Sequence, residues 1–169
     1  MNIKTTLAAL SLASLAFGAQ AGWKEDMRKA AQAQAQTKME KELGLPQVAP
    51  AGAKAYFVNL KDGDTVSNPV FIQFGLHGMG VSPAGNSVEG SGHFHLLIDE
   101  PTVDYTTSLP VTDQIKHFGG GQTETEITLK PGKHSLQLLM ADWKHQPHNP
   151  AVQSMLINVI VKDAAPAKK

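Results

Sequence analysis

The sequence predicts an all-β fold, an immunoglobulin-like antiparallel β-sandwich of about seven strands, preceded by an N-terminal helix. Three observations carry this expectation. Between residues 54 and 162, short stretches alternate apolar and polar side chains with period two. Examples are Val70-x-Ile72-x-Phe74-x-Leu76, Phe94-x-Leu96-x-Ile98 and Leu136-x-Leu138-x-Met140. Turn signals separate them, among them Lys61-Asp62-Gly63-Asp64, Gly119-Gly120-Gly121 and Pro131-Gly132. No helical periodicity lies between the strands, so sheet must pack on sheet, and a Greek-key sandwich is the first choice.

The chain opens with a different pattern. Residues 1–21 hold an early basic residue, Lys4, an apolar run from Leu7 to Phe17, and Ala19-Gln20-Ala21 before Gly22. That is the form of a cleaved secretory signal peptide, and it places the protein in the periplasm. Neither Ala21 nor Gly22 is a cysteine, so no lipid anchor is expected, and no later stretch has the length of a membrane span. Residues 22–53 form a helical leader and a Pro/Ala linker. Trp23 to Leu43 is rich in Ala, Gln, Lys and Glu, and Gly44 and Pro46 end it. Its apolar stripe (Trp23, Met27, Ala31, Ala35, Met39) is thin. It fits either a solvated leader or a helix that docks on a periplasmic protein partner.

The sandwich domain is expected over residues 54–162. Its strands are Ala55–Leu60, Val70–Leu76, His93–Ile98, Glu124–Leu129, His134–Ala141 and Ser154–Val161. A further strand is expected between Pro101 and Phe118, either an edge strand at Thr102–Thr107 or the brief run Ile115–Phe118. Residues 163–169 form a flexible tail.

Composition excludes several function classes. The 169 residues carry 15 basic and 15 acidic side chains. Losing the signal peptide removes Lys4 and no acid, which leaves the chain near neutral. No basic field for nucleic acid and no polybasic membrane patch exist. There are no cysteines, so thiolate metal sites and thiol catalysis are ruled out, and a metal must be held by nitrogen, oxygen or thioether sulfur. No phosphate loop, dinucleotide fingerprint or nucleophile elbow is present.

The candidate site follows from the strand pattern. In Gly92-His93-Phe94-His95-Leu96-Leu97-Ile98-Asp99, Phe94, Leu96 and Ile98 take one face, and His93, His95 and Leu97 the other. The two histidines are then about 6.6 Å apart at Cα and able to converge on one ion. In a sandwich without a ligand the same face is simply the open side of its sheet. An immunoglobulin-like key gathers His77, His93, His95, His117, Asp142, His145 and His148 at one end of the fold, and sends His134 to the other. His93-x-His95 and His145-x-x-His148 have ligand-like spacing. His77 is the weakest member, and Met79 is a possible soft ligand. For His134, after the Pro-Gly turn, a corner hydrogen bond is expected.

Together, the segment Gly92 to Asp99, the run His117-Phe118-Gly119-Gly120-Gly121-Gln122-Thr123-Glu124, the run Pro131 to Leu138, and Asp142 with His145-Gln146-Pro147-His148 resemble the exported bacterial domain family DUF4399. The resemblance covers about Tyr56 to Val161. It implies export and brings no settled function. The family usually reads Gly-His-His-His-Leu-Leu-Ile-Asp, and here the middle histidine is Phe94, on the core face.

Three readings of function stand at this point. The first is a periplasmic metal-binding module. It takes Cu(II) in preference to Zn(II), on His93, His95, His117, Asp142, His145 and His148, and binds, buffers or delivers the ion. The second is a non-catalytic structural or interaction sandwich, in which the histidines form a hydrogen-bond network with Asp99 or Asp142. The third is a hydrolase with three histidines on a metal that activates water.

Overall fold

The computed structural model describes residues 22–36, 38–39 and 42–162. The expected signal peptide (1–21) and tail (163–169) lie outside the described residues. The chain divides into two units after Leu43. The first is helical at residues 22–36, 38–39 and 42–43, with an exposed Lys29–Glu25 pair one turn apart at 3.2 Å. No helix among the described residues is long and apolar enough to cross a membrane.

The second unit is an immunoglobulin-like β-sandwich. Among the described residues it has nine strands: β1 (Lys54–Phe57), β2 (Asp64–Val66), β3 (Val70–His77), β4 (Gly80–Val81), β5 (Ser91–Ile98), β6 (Ile115–His117), β7 (Glu124–Ile127), β8 (Gly132–Ala141) and β9 (Ile157–Val161). One sheet has the order β1-β3-β7. The other runs β2-β9-β8-β5-β4, with β6 also paired to β5. The long pairings are antiparallel, and two short ones, β2 on β9 and β4 on β5, are parallel.

The alternating residues meet between the sheets. Val70, Ile72 and Phe74 of β3 face Phe94, Leu96 and Ile98 of β5, and Leu136, Leu138 and Met140 of β8, all buried. The Phe74 ring centroid lies 5.1 Å from that of Phe94 and 4.8 Å from that of Phe118. Each large side chain buried here contributes about 1.5–3 kcal/mol.

Two sequence expectations change. Thr102–Thr107 is not a strand. Asp104 Oδ1 accepts the Thr106 N–H at 2.8 Å and its hydroxyl at 2.6 Å, which closes a local turn in place of a ladder. The strand expected in this region is β6. The histidine face of β5 is also not open, since all eight residues of β5 are buried. A second apolar cluster (Leu97, Leu109, Ile115, Leu139, Ala141) covers that face, with Val103 and Ala151 packed against it.

The linker joins the domain. Ala49 is buried in the main core. Asn149 N–H donates to Gln47 O (3.0 Å), Ala49 N–H donates to Asn149 O (3.2 Å), and Lys144 Nζ reaches Leu45 O (3.3 Å). Residues 45–49 thus strap the loop between β8 and β9.

Candidate metal centre

Strand β5 delivers two histidines to its outer face, and pairing with β6 brings a third. His95 lies directly opposite His117 in the antiparallel register, so their side chains share a face. Phe118, the next residue, turns inward to the aromatic core and donates its N–H to Phe94 O at 3.0 Å, which anchors the end of β6. Gly119 makes room for the ring: a Cβ there would collide with Cε1 and Nε2 of His117. The fourth histidine, His145, comes from the loop after β8.

His93, His95 and His117 each offer a nitrogen, and these nitrogens lie within 4.8 Å of one another. His145 stands beside this trio and outside the set of mutually close nitrogens, with its ring centroid 4.7 Å from that of His117 and 5.0 Å from that of His93. The remaining centroid separations are 4.9 Å (His93–His95), 5.0 Å (His93–His117), 5.1 Å (His95–His117) and 6.2 Å (His95–His145). Imidazoles bound tetrahedrally through metal–nitrogen bonds of about 2.0–2.1 Å would place their centroids about 5.2 Å apart. Five of the six pairs are within about half an ångström of that spacing, and only His145 must approach His95.

Burial disfavours the charged form of three members of the cluster. His93 and His95 are fully buried. Burial pushes the His95 pKa down to about 2, with repulsion from His93, His117 and His145 adding to it. Burial, then repulsion from His145, His117 and His148, takes His93 to about 4. His117 is lowered by burial and by His145. Neutral imidazole is the form that donates a lone pair to a metal.

The hydrogen-bond network expected of a purely structural cluster is missing. Neither ring nitrogen of His93 or His95, nor Nε2 of His117, has a hydrogen-bond partner among the described residues, although all five atoms are buried. Buried polar atoms normally have partners, and a set of rings that brings one nitrogen each from His93, His95 and His117 within 4.8 Å of one another calls for a ligand. The carboxylates expected to satisfy them are engaged elsewhere. Asp99 meets His134 Nδ1 at 3.0 Å and accepts the Ser135 N–H at 3.2 Å, while His134 Nε2 lies 2.8 Å from Lys130 O. This is the corner contact expected for His134, and it ties the Asp of the β5 motif to the Pro-Gly-Lys-His turn.

Asp142 and His148 adjoin the cluster, with Asp142 Oδ1 and both His148 ring nitrogens facing backbone groups and Asp142 Oδ2 unpartnered. Asp142 Oδ1 accepts the N–H groups of Lys144 and Gln146. His148 Nδ1 and Nε2 lie 3.4 Å and 3.3 Å from Met140 O and Ser91 O. Burial lowers the His148 pKa, against the opposing pull of these carbonyls and of Asp142. A Cβ at Gly92 would strike Ala141 O and crowd His148, so the first glycine of the motif seats this ring. His77 ends β3 in an exposed position. Met79 packs against the apolar core.

The family model described as "Domain of unknown function (DUF4399)" matches residues 72–162, more than half of the chain. The chain belongs to the DUF4399 family. The match spans every histidine of the cluster, so the centre lies wholly within the DUF4399 domain. The chain is also similar to the solution structure of the PKD domain of human KIAA0319. The identity is 14% and the TM-score 0.36, over 73% of this chain and 93% of that one. No curated protein matches the DUF4399 chain.

Proposed function

We propose that this protein is a periplasmic metal-binding module whose centre holds one Cu(II) or Zn(II) ion on His93, His95, His117 and His145. The observation that carries the reading is the set of five buried, unpartnered ring nitrogens in one cluster. Without a ligand all five stay unsatisfied, whereas an ion takes the lone pair of one nitrogen from each ring. The donor set is all nitrogen, with no thiolate and no bound carboxylate. That chemistry suits borderline late metals and disfavours Mg(II), Ca(II) and Mn(II). Intrinsic affinity of nitrogen sites favours Cu(II), and the near-tetrahedral spacing of the rings favours Zn(II), so both ions enter the test. Four protein ligands fill a tetrahedral shell, which favours holding or passing on the ion over activating a water on it.

The test is elemental analysis of protein purified from the periplasm without a histidine tag, followed by melting curves with added ion. One equivalent of copper or zinc is expected. At free ion one hundred times the dissociation constant, the native state gains about 2.7 kcal/mol. His93→Ala and His95→Leu should each abolish the rise in melting temperature, and His134→Ala should leave it intact. Protein that carries no metal and shows no shift with either ion would sink the proposal.

A further inference from the structure

Asp142 is fully buried just past the end of β8, beside the centre, and one oxygen of its carboxylate is turned to the chain. Oδ1 accepts two hydrogen bonds, from the N–H of Lys144 at 2.8 Å and of Gln146 at 3.0 Å. Those two residues flank His145. The Asp142 carbonyl accepts the His145 N–H at 2.9 Å, and the Asp142 N–H donates to Gln146 O at 2.8 Å. Four hydrogen bonds from one residue therefore wrap the turn that carries the fourth histidine. His145 itself sits at φ 68°, a left-handed conformation that residues with a side chain rarely adopt. The turn is held from the far side as well, since Leu109 N–H donates to His145 O at 2.8 Å and Ser108 Oγ donates to Lys144 O at 2.8 Å. In this conformation the His145 ring lies 5.0 Å from that of His93 and 4.7 Å from that of His117.

We propose that Asp142 is the positioning residue of the centre: it does not bind the ion, but fixes the turn that brings His145 to it. This rests on the reading of the histidine cluster as a metal site. The competing assignment is that Asp142 ligates through Oδ2, which is buried and has no hydrogen-bond partner among the described residues. The two assignments differ in what an amide can replace. Asparagine keeps an oxygen able to accept both turn amides and loses the anionic oxygen an ion would bind.

The experiment compares wild type, Asp142→Asn, Asp142→Ala, His145→Ala and the Asp142→Ala/His145→Ala double variant. Cu(II) is the probe. Affinity is read by competition, and the number of coordinated imidazoles by pulsed electron paramagnetic resonance. Asp142→Asn should keep the wild-type affinity and spectrum. Asp142→Ala should bind about 10- to 100-fold more weakly and lose one imidazole, as His145→Ala does, and the double variant should be no weaker than His145→Ala. In metal-free protein, the proton contact between the His145 and His117 rings should persist in Asp142→Asn and vanish in Asp142→Ala. If Asp142→Asn is as weak as Asp142→Ala, the carboxylate is a ligand and the proposal falls. It falls equally if the two single losses add in the double variant, or if the ring contact survives in Asp142→Ala. Should wild type fail to bind Cu(II), the metal reading is lost, and the ring contact in metal-free protein still decides whether Asp142 positions His145.

Discussion

Lowering the pH should unfold the metal-free protein through its two buried histidines. In the unfolded chain each titrates at about 6.5. In the folded protein, His95 is held at about 2 and His93 at about 4. Below pH 6.5 the unfolded chain therefore binds protons that the native state refuses, and stability falls with falling pH. The loss begins near pH 6.5 and continues until the folded groups themselves titrate. Each pH unit costs about 1.4 kcal/mol per group, so at pH 4.5 each histidine has removed about 2.7 kcal/mol. The pair removes about 5 kcal/mol, comparable with the whole stability of a marginal domain. Urea unfolding of metal-free protein at pH 7.5 and 4.5 measures the difference. The His95→Leu variant is the control, since it retains every carboxylate and should lose about half of the histidine contribution. An equal pH dependence in wild type and His95→Leu would refute the argument, because the imidazole would then accept its proton in the native state.

Other substitutions probe separate parts of the design. Phe94→Ala should cost about 3–5 kcal/mol in urea or thermal unfolding, because it removes a fully buried ring packed on Phe74. Gly119→Ala puts a methyl group where the His117 ring lies; a fold retained by circular dichroism with Cu(II) affinity reduced about 10- to 100-fold is the expected result. His134→Ala should lower stability by about 1–3 kcal/mol, with no change in metal response, since it removes the partner of Asp99 far along the chain from the cluster. A chain beginning at Lys54 should be less stable than one beginning at Gly44. Two backbone hydrogen bonds to Asn149, worth about 0.5–1.5 kcal/mol each, and the buried Ala49 go with the strap.

The sandwich was legible wherever a strand buries one face and repeats long enough for period two to show. Val70 to Phe74, Phe94 to Ile98 and Leu136 to Met140 all meet that condition. Strands β2 and β4 have three and two residues, too few to display a period, and they exist only because a neighbouring strand offers its edge. Their parallel pairing is set by the path of the chain and leaves no local mark. Thr102–Thr107 has the threonines of a strand, but Asp104 offers the backbone a nearer partner. The gathering of His93, His95, His117 and His145 followed from Greek-key topology, which joins loops distant in sequence. What alternation hides is a second layer. Leu109 and Ile115 lie in a stretch without pattern, and nothing local says that they cover the histidine face of β5. Residue type and spacing place Asp142 among the candidate ligands; its bonds to Lys144 and Gln146 depend on the backbone conformation of a loop, which composition does not reveal.

Strand β5 carries sandwich core on one side and imidazoles on the other, and this makes chain length there unforgiving. A single residue inserted between Phe94 and His95 would swing His95 toward the core and push Leu96 outward, so one event would destroy the packing and the histidine cluster together. Point substitutions are gentler, since each touches one side. The exposed stretch around Asn86 and Ser87, by contrast, can accept added residues without shifting the ladder. The cluster is therefore altered at least cost to the ladder through position 145, the one histidine of the four borne by a loop rather than a strand.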